Sequence, residues 1–160
     1  MMNRRQLVQG MASLGTGSML MPAMAHHGWS SFDQDRPIYL QGRVTRVQWR
    51  NPHAELVIEV PANLALPADL AQRALPAQSA PVDGKALLAK TVLPTRKDRS
   101  WEVELAPLTR MEAWKVAPIA VGAQVSLVGF TFAQEKGDAI VRVEYLFVGD
   151  RAYGLRSSPA

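Results

Sequence analysis

The chain has 160 residues, 48% of them hydrophobic, no cysteine, and a formal net charge of +4. That length suits one modest core and argues against a second independent domain. The lack of cysteine excludes a disulfide framework, a thiolate zinc site and a thiol nucleophile, so any metal must be held by nitrogen and oxygen. Of the 18 Lys and Arg, Arg4 and Arg5 stand in an N-terminal leader, and the remainder nearly balances its 14 Asp and Glu. A general polyanion-binding role thereby loses its main support.

The leader, residues 1–25, reads MMNRRQLVQGMASLGTGSMLMPAMA. A paired arginine, a weakly apolar run, a proline and a small-x-small Ala23-Met24-Ala25 make an export signal, which is set aside from fold reasoning. Asn3-Arg4-Arg5-Gln6-Leu7 resembles a twin-arginine signal, with Leu7 where such signals often carry Phe, and an ordinary secretory signal fits equally well. The run from Gly10 to Met21 is too short to span a bilayer, and no later segment approaches the ~18 apolar residues that a spanning helix needs. The expected product is therefore an exported, periplasmic protein without a membrane span. Six of the seven methionines fall in the leader, which removes any case for a methionine-rich copper site. Cutting after Ala25 makes His26 the first residue, with His27 directly behind it.

Further along, Ile38, Leu40 and Val44 are apolar on one parity while Val47 and Trp49 continue on the other. This predicts one long strand over 38–50, bulged near Thr45 and curled with the help of Gly42. Pro52 ends it, and Ala54, Leu56, Ile58 and Val60 alternate with more polar neighbours as a second strand. Residues 61–99 hold five prolines and many alanines. They read as a long excursion with a short helix around Ala68 to Leu75. Trp101, Val103 and Leu105 alternate as a half-buried strand, and a helical turn follows over Leu108 to Lys115. Residues 123–132 form an apolar strand. Val141, Val143, Tyr145 and Phe147 form another, and a turn at Gly149-Asp150 leads to a last edge strand over Arg151 to Leu155.

Five or six strands, the first long and bent, with a helical turn between the third and fourth, predict a mainly β fold. The expected form is a small OB-like barrel, a single domain over 26–160 with an insertion at about 61–99. A seven-strand sandwich would need strands from the Pro-rich segment, which its composition opposes.

The segments AHHGWSSFD, GRVTRVQWRNPHAEL, WEVELAPLTRMEAW, VGAQVSLVGF and AYGL resemble, in that order, a family of small exported bacterial proteins known as domain-of-unknown-function family 6152. The resemblance implies an "AHH" after the signal, a strand, an "NPH" and the remaining strands of a small barrel. It implies only a short connection where this chain has residues 61–99, and it brings no activity with it.

The chain's three histidines, His26, His27 and His53, all fall in those two motifs. An amino-terminal histidine can grip one metal ion through its free amine and its ring Nδ1, and one more imidazole completes a T of three nitrogens, a histidine brace. Copper(II) favours tetragonal, nitrogen-rich coordination and tops the divalent affinity order, so copper is the expected cofactor. The amine competes with a proton of pKa ~7.7–8.0, so affinity should fall on acidification. His53 is the expected third ligand, on the polar face of its strand with Glu55 and Glu59, and His27 is the alternative. Trp29 and Trp49 stand near these residues in sequence as candidate walls, and Asp33, Asp35 and Glu55 as second partners.

Against this stands a plain reading, in which tandem histidines merely give the mature chain a polar start and His53 is ordinary surface. Glu102 and Glu104, like Glu55 and Glu59, share strand faces and read as solvated charge. No nucleophile motif follows Ser30 and Ser31, and no catalytic residue is assigned. Arg43, Arg46, Arg50 and Arg110 with Trp49 and Trp101 make a possible basic aromatic patch, for which export argues against nucleic acid. The expected function is copper buffering or transfer to a periplasmic partner protein rather than catalysis. The alternative is a non-metal OB-like module binding a glycan or a partner protein.

Overall fold

The structure is a computed structural model and describes residues 28–160. The leader, His26 and His27 lie outside the described residues. Six strands and two helices follow one another as β1 (Ile38–Gln48), β2 (Glu55–Glu59), α1 (Gly84–Lys90), β3 (Ser100–Glu104), α2 (Leu108–Ala113), β4 (Gln124–Phe130), β5 (Ile140–Val148) and β6 (Arg151–Gly154). The sheet order is β3-β2-β1-β4-β5-β6, and a parallel pairing of β3 with β5 closes the first five strands into a barrel. This circuit, with α2 between β3 and β4, is the OB-like barrel that the alternation pattern predicts.

Two irregularities shape the barrel. In β1 the register against β2 skips between Val44 and Arg46, so Thr45 is the extra residue of a bulge that swaps the apolar parity. Gly42 allows the bend because β2 passes too close for a side chain: a Cβ there would lie 2.5 Å from the Glu59 carbonyl oxygen. In β5 the partner of Val128 is Tyr145 while that of Gly129 is Val143, which leaves Glu144 as a second bulged residue. Val141, Val143 and Leu146 therefore face the barrel interior, whereas Ile140, Tyr145 and Phe147 belong to a separate apolar cluster.

That second cluster is where residues 61–99 go. Leu70, Leu87 and Leu88 from this segment pack with Phe32, Tyr39, Val128, Phe130, Tyr145 and Phe147 on the outside of the barrel. The helix expected over Ala68 to Leu75 is a single 3-10 turn, Leu70–Gln72. The chain leaves helical geometry at Arg73, whose ψ is 133°, and Pro76 keeps Leu75 from resuming it. The helix of this segment is α1, where the Asp83 side chain accepts the backbone N–H of Ala86 at 2.9 Å as an N-terminal cap. Among the described residues no helix is long and apolar enough to cross a membrane.

Candidate functional site

The Asn51-Pro52-His53 corner joins β1 to β2. Its first residue is tied down at a distance: Asn51 Oδ1 accepts the backbone N–H of Leu108 at 3.1 Å, capping α2, whose own N-terminal residue Pro107 has no side-chain acceptor. The Asn51–Pro52 peptide bond is cis. Ala54 then exchanges backbone bonds with β3's extension, donating to Ala106 and accepting from Leu105, each at 2.9 Å. Ala54 is fully buried, so the half-buried His53 beside it takes the opposite, outer face of the barrel wall.

On that face His53 meets a cation. The two terminal nitrogens of Arg142 each lie 3.3 Å from one ring nitrogen of His53. A neutral imidazole has a single acceptor nitrogen, so only one of these contacts can be a hydrogen bond donated to the ring at a time. The same Nη1 donates to Glu104 Oε2 at 3.2 Å, and both side chains of this pair are about 95% buried, at 5% and 6% exposure. Burial pushes the Arg142 guanidinium below its ordinary pKa, the Glu104 carboxylate pulls it back, and Arg110 and Arg156 lower it further. The Arg142 Nε is buried without a hydrogen-bond partner.

Trp29 roofs this pair. Its ring lies 5.0 Å from the Arg142 guanidinium carbon and 3.8 Å from that of Arg156, and it meets Phe130 edge-on at 6.3 Å. Cation–π contacts of this kind hold best where water is excluded. Arg156 is fixed in turn by the fully buried Glu144, to whose Oε2 its Nε donates at 2.8 Å, and by Gln34 Oε1 at 2.7 Å. Gln34 closes the loop by donating to the Trp29 carbonyl at 3.1 Å. The segment that follows His26 and His27 in the sequence is thus bound to the wall that carries His53.

Other expected partners are placed elsewhere. Trp49 packs against the barrel core, and Asp33 Oδ1 accepts the N–H of Asp35 at 3.2 Å. The basic aromatic patch does not form as one surface, because Trp101 is buried with its indole donating to the Asp98 carbonyl and Arg110 donates to the Leu155 carbonyl. Glu104, read as a solvated strand charge, is a buried ion-pair partner. Arg142, Glu144 and Arg156 were missed altogether; the signal was two opposite charges, Arg142 and Glu144, inside an otherwise apolar strand, where charge is rarely buried unless paired.

Among the described residues no group of three or more His, Asp or Glu is arranged to hold a metal ion. No curated protein matches the chain. A family model described as a family of unknown function, DUF6152, matches residues 15–67, the span that holds His26, His27, β1, the Asn51-Pro52-His53 corner and β2. The family resemblance carried by the AHH and NPH motifs is thus matched over residues 15–67 by DUF6152.

Proposed function

We propose that the protein, exported and cut after Ala25, binds one copper ion in the periplasm through the His26 amine and ring together with His53, with His27 as the alternative imidazole. Its role in this reading is to buffer copper or pass it to a partner protein. The observation that carries the reading is the placement of Trp29: it rests on Arg142, and Arg142 contacts His53. Three residues of extended chain span about 10 Å, so a terminus at His26 starts within about that distance of the Trp29 backbone, whose ring covers the Arg142 that borders His53. Copper is favoured over harder cations by an all-nitrogen donor set.

Mass spectrometry of the secreted protein should find His26 first, and copper(II) titration should give a 1:1 complex with the spectrum of nitrogen ligation. One extra residue ahead of His26 should abolish that complex, and His53→Ala should weaken it by at least ~10-fold. A mature form beginning elsewhere, or a complex indifferent to the added residue, would end this reading. A second reading has one observation in its favour: the ring nitrogens of His53 already lie against Arg142, as in a wall residue of a non-metal barrel that holds a glycan or a partner protein. In that case the processed protein takes up no copper, and the added residue changes nothing.

A further inference from the structure

Where the excursion over residues 61–99 leaves the barrel after β2 and returns ahead of β3, its two arms enclose a cavity of about 160 Å³. Val60, Leu64, Leu93 and Trp101 give it apolar walls. Trp101 is 1% exposed, and its indole N–H is held by the Asp98 carbonyl. The returning arm is fixed as well, because the Arg96 guanidinium donates to the carbonyls of Glu135, Gly137 and Asp138 at 3.0 to 3.1 Å. An apolar cavity of about 150 Å³ holds a benzene ring, so the space matches one six-membered ring.

The mouth of this cavity is positively charged. Arg96, Lys97 and Arg99 line it with one acid, Asp98, and Asp98 is taken by Arg96, whose Nε donates to it at 2.7 Å. The next carboxylate, Glu59, accepts from Arg43 at 2.8 Å and stands 3.9 Å from Arg99, beyond hydrogen-bond reach. Arg99 is pinned to the rim through Val60: its Nε donates to the Val60 carbonyl, and its own carbonyl accepts the Val60 N–H at 2.7 Å. The terminal nitrogens of Arg99 and the Lys97 ammonium make no hydrogen bond to any of the described residues. A ring-sized apolar space beneath two uncommitted cations is complementary to a ring that carries one anionic group, and a guanidinium suits a planar carboxylate. We propose that this cavity binds a small monocyclic aromatic carboxylate, with the ring against Trp101 and the two leucines and the carboxylate on Arg99 and Lys97. The site shares no residue with the copper reading and stands or falls without it.

The test uses the full chain and titrates it with benzoate while following the tryptophan indole N–H resonances by NMR. The Trp101 resonance should shift along a saturating curve with a dissociation constant on the order of 1 mM or below. Trp29, Trp49 and Trp114, the chain's other tryptophans, should stay in place. Benzyl alcohol, which lacks the charge, and acetate, which lacks the ring, should each bind at least about fivefold more weakly. Arg99→Gln and Lys97→Gln should each weaken benzoate by about two- to fivefold, and Arg99→Lys should keep most of the affinity. If Arg99→Gln loosens the rim through its lost bond to Val60, Lys97→Gln still reads the charge. Ala62 is exposed at the rim, so Ala62→Phe narrows the mouth without removing any core side chain and should abolish binding. A folded wild-type chain whose Trp101 resonance ignores benzoate overturns the proposal. So does an affinity that benzyl alcohol or acetate equals, that survives Ala62→Phe, or that neither charge removal moves.

Discussion

Asn51 is exposed and polar, yet its Oδ1 holds the first turn of α2 from 57 residues away. Helix caps supplied in this way are worth about 1 kcal/mol, within a range of ~0.5–2. Asn51→Ala should therefore lower unfolding free energy by about that amount in urea melts. The residue was visible in the sequence only as the start of a motif, because a cap offered by a distant corner leaves no local spacing to read. His53 was legible as an outward-facing histidine, since parity from Ala54 fixes its side of the wall. The guanidinium against it was not legible, because Arg142 stands 89 residues later and charges within an apolar strand signal burial without naming the partner. The same holds for Glu104, whose alternation with Trp101 and Val103 fits a solvated face as well as a covered one.

At the level of elements, the strands followed from period-two alternation, and the β1 bulge from the change of parity at Thr45. The β5 bulge at Glu144 was hidden because Val141, Val143, Tyr145 and Phe147 alternate smoothly across it, although the first two face the barrel interior and the last two the outer cluster. Gly129 accommodates this second irregularity: a Cβ there would lie 2.4 Å from the Arg142 carbonyl oxygen. The packing role of segment 61–99 was not legible, for a physical reason. Its prolines do prevent long regular elements, but they leave Leu70, Leu87 and Leu88 free to cover apolar surface that an OB-like barrel would otherwise expose. Leu88 is 2% exposed, so Leu88→Ala should cost ~2–5 kcal/mol. A thermal melt reads this directly, and an unchanged melting temperature would show that the segment contributes little to stability.

Across the whole molecule, one carboxylate clamps the end of this segment to the chain ahead of β5. Glu135 accepts the backbone N–H groups of Thr95 and Arg96 at 2.9 Å and pairs with Arg36. Burial raises its pKa, but the Arg96 and Thr95 N–H groups and the Arg36 guanidinium outweigh that and hold it below the ordinary carboxylate value. A depressed folded-state pKa stabilises the fold above the unfolded value of ~4.3 and is lost as pH falls through the folded value. Glu135→Gln should thus be less stable than wild type at neutral pH, with the difference shrinking below about pH 4. Urea midpoints measured across that window check the sign, and a difference that persists undiminished at low pH would contradict it.

The parallel seam between β3 and β5 has a consequence in time. Residue 53 leaves the ribosome long before residue 142, and the two meet only when the last barrel strand zips onto β3. A nascent chain that stops short of β5 has Glu104 without its guanidinium and Trp29 without its perch. The wall beneath Trp29 is therefore among the final things the polypeptide makes, so a partly synthesised chain holds the Asn51-Pro52-His53 corner without the guanidinium that borders it.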